Sequence, residues 1–241
     1  MDLGIAGRWA TICASSRGPG RACAEALASE GVNVIVTGSE ADAVEQAAAE
    51  IAAAHGVQAR PVTADLTTQA GRDWLLAAWP DPDIMVTSNA WIEPGGLPEA
   101  NDDDLAVAWR MYHMEQHYWA PAALVQAVVA GMRSRRFGRI VNITSVDGAA
   151  RRPALAASAD VGAGLSAVIK GLATQVAADN VTINQLVTER DTAGGVPARG
   201  RVRHEEELAA ACAILCSVHA SRISGVDVQV SANHRSLALV V

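Results

Sequence analysis

The turn Cys13-Ala-Ser-Ser-Arg-Gly-Pro-Gly20 stands between a short apolar run, Trp9–Cys13, and an Ala-rich stretch from Gly20 to Glu30. A glycine-rich turn from strand to helix lets a backbone approach a pyrophosphate, which then rests on the N–H groups of the helix start. Gly18 and Gly20 supply that freedom, and Arg17 adds a cation beside it. Pro19 has no N–H to give, and proline favours the first turn of a helix in any case. Farther along, His113 and His117 lie four residues apart, so a helix puts both rings on one face. An ordinary histidine pKa of about 6.5 suits acid–base work. The order His-x-Glu-x-His is not that of zinc peptidases and no third ligand is evident, so no metal site is expected.

Apolar strand-like runs alternate with Ala-rich helical stretches along the chain. After Trp9–Cys13 come Val32–Thr37, Val57–Val62, Ile84–Thr87, Ile140–Thr144, Val181–Val187 and Val226–Val230. Helices are expected over Gly20–Glu30 and Asp42–His55, with two long ones near Asp103–Arg133 and Pro153–Ala178 flanking the fifth strand. This alternation predicts an α/β fold, a doubly wound parallel sheet of about seven strands. With 241 residues, half of them hydrophobic, and no linker, repeat or low-complexity tract, residues 1–241 read as a single domain. The formal charge of -7, without an offsetting basic stretch, argues against a nucleic-acid partner. No apolar run reaches membrane-spanning length and Met1-Asp2-Leu3-Gly4 lacks a basic start, so a cytoplasmic protein is expected. Cys212 and Cys216 share one helix face and read as core thiols.

The segment Gly138-Arg-Ile-Val-Asn-Ile-Thr-Ser145 and the glycine-rich turn together resemble the short-chain dehydrogenase/reductase family, especially its 3-oxoacyl-acyl-carrier-protein reductase branch. The resemblance runs from that turn to Ile223-Ser-Gly225. It implies a dinucleotide site, from which the chain departs at several positions. Ala14 stands where the family has its first glycine, and Pro19 stands between the last two. Losing one charge-assisted hydrogen bond there costs about 1.5–3 kcal/mol. Thr37-Gly-Ser39 offers no acid for the ribose hydroxyls of NAD, whereas Ser39 and Arg17 would suit a 2′-phosphate. Asp65 matches the residue that faces the adenine. Asn89 lies in Ser88-Asn-Ala-Trp91, the counterpart of the family's Asn-Asn-Ala-Gly, where Trp91 puts an indole in place of a small residue. Thr188-Glu189 replaces the Pro-Gly pair after the sixth strand.

The same resemblance implies four catalytic positions. The asparagine is replaced by His117, the serine is retained as Ser145, and Ser158 and Gly162 occupy the places of the tyrosine and lysine. Tyr112 and Tyr118 lie well upstream, and the only lysine, Lys170, is eight residues too late. Losing general acid–base help lowers a rate about 10²–10⁴-fold. These departures lead to the expectation that no cofactor is held tightly, with residual NADP(H) binding. The chain then reads as a non-catalytic subunit of a hetero-oligomeric hydroxyacyl-thioester dehydrogenase/reductase, partnered by an active member of the family or by copies of itself. Small residues Ala157, Gly162 and Gly164 would allow close helix packing, and the apolar tail Leu237-Ala-Leu-Val-Val241 would suit burial. The alternatives are a non-redox enzyme (dehydration, isomerisation or cyclisation) using His117 as acid–base and Ser145 as donor, or a weak NADP-dependent oxidoreductase. His117 and Trp119 filling the space of an absent nicotinamide is the remaining reading of that pair.

Overall fold

The structure, a computed structural model, describes the backbone of residues 1–88, 111, 114–147, 156–190 and 198–230, and side chains over 1–88, 111, 114–144, 164–188 and 204–230. The elements run β1 (Trp9–Ile12), α1 (Gly18–Ser29), β2 (Asn33–Gly38), α2 (Ala41–His55), β3 (Ala59–Thr63), α3 (Gln69–Ala78) and β4 (Ile84–Ser88). A π-helical turn (Glu115–Trp119) then leads into α4 (Ala120–Arg135), followed by β5 (Gly138–Asp147), α5 (Ala156–Val176), β6 (Val181–Arg190), α6 (Ala198–Cys216) and β7 (Asp227–Val230).

The seven strands form one sheet in the order β3-β2-β1-β4-β5-β6-β7, with every pairing parallel. Strand order reverses between β1 and β4, which opens a crevice at the carboxyl ends of the strands, where open α/β sheets bind ligands. Alternation along each strand gives the sheet two apolar faces. Ile12, Val34, Val86, Val141, Ile143 and Leu186 pack with Leu27 of α1, Ile51 of α2 and Leu208 of α6. Ile35, Met85, Ile140 and Ile183 pack on the other side with Val125 and Val128 of α4 and Leu165 and Ile169 of α5.

A polar row crosses the second face at its centre. The Thr87 hydroxyl donates to Asn142 Oδ1 at 2.8 Å, and Asn142 Nδ2 donates to Gln185 Oε1 at 3.2 Å. All three residues are buried, and their Cα positions are in register across β4, β5 and β6. The row ends near β7, where Asp227 pairs in register with Gln185 and accepts from Ser166 and Lys170 of α5. Thus the one lysine of the chain ties α5 to the edge strand at 2.7 Å.

Several boundaries differ from the sequence reading. β5 and β6 extend beyond Thr144 and Val187 because they lengthen together, pairing Ser145 with Thr188, Val146 with Glu189 and Asp147 with Arg190. Helix α3 was not anticipated: only Arg72 and Leu75 of it are buried, so its apolar stripe is narrow. Thr68 caps it by accepting from the Gly71 N–H. The long helix expected to reach Arg133 is interrupted by the π-turn and runs on to Arg135. The tail Leu237–Val241 lies outside the described residues, as do Asn89, Trp91, Tyr112 and His113. No described helix is long and apolar enough to cross a membrane.

Candidate functional site

The glycine-rich turn is built by hydrogen bonds to the end of β2. Thr37 Oγ1 accepts from the Ala14 N–H at 3.1 Å and donates to the Ile12 carbonyl, while the Ser15 N–H donates to the Thr37 carbonyl at 2.8 Å. Ser15, fully buried, returns the bond by accepting from the Thr37 N–H at 2.9 Å. This lattice forces Ala14 into the left-handed region, φ +49°, a conformation that favours glycine. The departure at the family's first glycine is therefore tolerated as stored backbone strain. Gly18 also has a positive φ, +60°, and no atom of the described residues lies within 4 Å of where a Cβ would be. Gly20 answers a different need: a Cβ there would lie 2.4 Å from the Ala14 carbonyl oxygen.

Pro19 occupies the first turn of α1, as expected from its missing N–H. The helix begins at Gly18, and its N-cap residue Arg17 makes no capping bond through its side chain. Gly18 and Gly20 therefore offer the anion-binding N–H groups of this terminus, and Pro19 between them offers none. The cradle fits a pyrophosphate.

Next to it, Arg17 Nη2 is paired with Glu40 Oε1, and both side chains are largely exposed. By sequence, Arg17 and Ser39 suit a 2′-phosphate and no acid stands through Ser39; Glu40, one residue later, is that acid. Gly38 packs so closely on Ser16 and Val44 that a Cβ would meet them at 3.1 and 2.9 Å, which brings this loop over the turn. Asp65, exposed after β3, accepts from the Thr67 N–H and hydroxyl at 3.0 and 2.6 Å. Buried Arg72 then donates to the carbonyls of Leu66 and Thr67 and pairs with Glu115 at 2.9 Å. The loop after β3 and the π-turn are held by one guanidinium.

The π-turn carries His117, partly buried and with an interaction partner. Gln116 beside it is buried, and its Nε2 has no hydrogen-bond partner among the described residues. Tyr118 packs on α5, where a Cβ on Gly164 would meet its ring at 3.3 Å. Trp119 is mostly exposed, so of the pair read as filling an empty nicotinamide space it does not fill the interior. Single π-turns within helices concentrate at functional sites.

Ser145 lies on β5, with its Cα directly across from that of Thr188 on β6. Ser158 and Gly162 are in the first part of α5, four residues apart and hence one turn apart along the helix. Thr188, at the position of the family's proline, contacts Nε2 of His204 on α6 through its hydroxyl. No motif marks His204 in the sequence; its signal is its place four residues before Leu208, on the side of α6 that faces the core.

A family model described as short chain dehydrogenase matches residues 8–189. The 3-oxoacyl-acyl-carrier-protein reductase FabG of Haemophilus influenzae is 30% identical over 244 residues, covering 93% of this chain and 97% of that protein. Subunit BbsC of a hydroxy(phenyl)methylsuccinyl-CoA dehydrogenase from Thauera aromatica is 28% identical over 236 residues, 91% of each chain. Among solved structures, L-sorbose reductase from Gluconobacter frateurii superposes with a TM-score of 0.80 at 25% identity, covering 98% of this chain and 100% of that one. That structure is a complex with NADPH, a finding that corrects the expectation that this chain holds no cofactor tightly. The internally bonded cradle is the physical reason: Ala14 and Pro19 change its donors and strain without filling it. This chain belongs to the short-chain dehydrogenase family.

Proposed function

We propose that this chain is an NADP(H)-binding, catalytically silent subunit of a hydroxyacyl-thioester dehydrogenase/reductase. What supports the reading is that Ser158 and Gly162, which the resemblance sets at the family's tyrosine and lysine positions, lie one turn apart on α5. A serine hydroxyl without an adjacent base is too weak an acid to replace a phenol whose pKa a lysine has lowered, and glycine supplies no charge. The relationship to BbsC, itself a dehydrogenase subunit, and to FabG supports a thioester substrate and a place in a larger assembly. An active member of the family would supply the missing Tyr-x-x-x-Lys.

In this reading NADP(H), when bound, is the hydride donor or acceptor of the family. The N–H groups of Gly18 and Gly20 hold its pyrophosphate. Arg17, released from Glu40, meets the 2′-phosphate together with Ser39, Asp65 borders the adenine, and Asn89 belongs to the nicotinamide side. Ser145 hydrogen-bonds the substrate oxygen. Location in the cytoplasm accords with these roles.

A second reading is favoured by one observation, the π-turn that sets His117 beside buried Gln116. There His117 serves as the acid–base of a non-redox step, and His117→Ala abolishes turnover while the protein stays folded.

The deciding experiment combines gentle affinity purification from the native host, intact-complex mass spectrometry and fluorescence titration of the isolated chain with NADPH. The expected result is a stoichiometric sister chain with an intact Tyr-x-x-x-Lys, micromolar NADPH affinity, and no turnover of acetoacetyl-CoA by the isolated chain. Steady turnover by the isolated chain would overturn the silent-subunit reading.

A further inference from the structure

Arg72 stands where two parts of the molecule meet, and its guanidinium reaches both. Its side chain is only 7% exposed. On one side Nη1 donates to the Leu66 and Thr67 carbonyls, and Nη2 donates to Gln69 Oε1 at 3.2 Å. On the other side Glu115 supplies its countercharge at 2.9 Å. A buried guanidinium that loses its carboxylate is left as an uncompensated charge, so Arg72 holds Glu115 firmly. The loop side is equally constrained. The Asp65 carbonyl accepts from the Thr68 N–H at 3.1 Å and from its hydroxyl at 2.9 Å, and a Cβ on Gly71 would lie 2.0 Å from that same oxygen. Asp65, the start of α3 and Arg72 therefore move as one body.

The π-turn is the part with two available forms. The Glu115 carbonyl accepts from the Ala120 N–H five residues on, the bond of a π-helix, whereas α4 beyond it is ordinary α-helix. In the α form of the same segment that N–H turns to the Gln116 carbonyl, one residue nearer. One residue of register rotates Glu115 about the helix axis by about 100°, which carries its carboxylate out of reach of Arg72. The ion pair thus selects the π form. Gln116 is buried within the turn, and the Tyr118 ring lies against Gly164, so a change of form also alters what the turn presents to α5.

We propose that Arg72 is a positioning residue that couples the nucleotide cleft to the π-turn. A ligand that orders Asp65 from the adenine side steadies Arg72 and, through Glu115, the π form that carries His117. This rests on the NADP(H) reading given above, in which Asp65 borders the adenine, and goes beyond it: the turn answers to the adenine half of the nucleotide alone. Such coupling is reciprocal, so the π form in turn favours the nucleotide.

The test uses adenosine 2′,5′-bisphosphate, which carries the adenine and 2′-phosphate of NADPH but has no nicotinamide to touch the π-turn directly. Amide hydrogen exchange over residues 115–120 is followed by mass spectrometry in the full-length chain, with and without the probe, for wild type, Glu115→Gln and Glu115→Ala. Calorimetric titration of each chain sets the saturating concentration. The probe is expected to slow exchange of this segment in wild type about threefold or more. Glu115→Gln, which keeps an acceptor but no charge, loses part of the slowing. Glu115→Ala loses all of it while binding the probe within about fivefold of wild type. A wild type that binds the probe with exchange over 115–120 unchanged overturns the inference alone. So does either variant, one sufficing if the other does not fold, that is less heat-stable yet keeps the full slowing, the outcome of a merely structural role. A wild type that binds neither the probe nor NADPH overturns the nucleotide reading and this inference together.

Discussion

A side chain on residue 20 would place its Cβ 2.4 Å from the carbonyl oxygen of Ala14, so the start of α1 and the turn before it touch backbone to backbone. Neither can move without the other, because Ala14 is itself tied to Thr37. Gly20→Ala is expected to cost about 1–3 kcal/mol of stability, the usual effect of overpacking, and to abolish NADPH binding. Ala14→Gly acts in the opposite sense. It relieves the φ of +49°, and the gain of about 1 kcal/mol after the entropy of the unfolded chain is counted should raise Tm by roughly 2–4 °C. Thermal unfolding followed by circular dichroism checks both.

The Arg17–Glu40 pair sets a competition at the mouth of the cradle. Exposed ion pairs are weak, so removing the acid frees Arg17 cheaply. Glu40→Gln should tighten NADPH about two- to five-fold, with little change for NADH. Arg17→Ala should weaken NADPH about tenfold or more and flatten the dependence of its affinity on salt. Titrations with both nucleotides at two ionic strengths test this; a Glu40→Gln chain that binds NADPH no better removes the competition.

Much of this architecture could be read from residue types. Runs such as Val32–Thr37 are apolar on both sides because both sheet faces are covered, and they fall where β2 does. The turn declared itself through Gly18, Pro19 and Gly20. What escaped was set by contacts between distant parts of the chain. Glu40 meets Arg17 across 23 positions, and His204 meets Thr188 across 16. The π-turn at Glu115–Trp119 has the same apolar spacing as ordinary helix, so periodicity could not reveal it. Helix α3 buries too little to leave a stripe. The roles proposed for Ser145, Ser158 and Gly162 rest on resemblance alone, since a serine or a glycine by itself carries no chemical signature.

The buried row at Thr87, Asn142 and Gln185 should be sensitive to single truncations. Thr87→Val leaves Asn142 Oδ1 without its donor in a site closed to water, and should cost about 1–3 kcal/mol in urea unfolding. An unchanged midpoint would mean that another donor reaches the amide.

Burial pushes the Cys13 thiol up from 9.0 to about 12. Cys23 is raised first by its contact with Cys212 and then by burial, and Cys212 first by its contact with Cys216. In each case the folded chain keeps a proton that the unfolded chain releases. Stability from this source is therefore whole below about pH 9 and declines as pH rises towards 12. Cys13→Ala should remove one proton's share of that decline, roughly 1.4 kcal/mol per pH unit between those limits. Urea melts at several alkaline pH values measure it. The same thiols should resist a disulfide reagent until the protein unfolds.

The amide row has a consequence for how the sheet finds its pairing. Parallel strands with apolar residues on both sides look nearly alike when slid along one another, so oily contacts alone do not choose among offsets. A slip of β5 against both β4 and β6 would carry Asn142 away from Thr87 and Gln185, stranding three polar groups in the interior. The three residues thus work as a notch and key that penalises misaligned pairings of these strands. Since Ser145 sits three residues beyond Asn142 on the same strand, the alignment chosen in the core also fixes its height opposite Thr188.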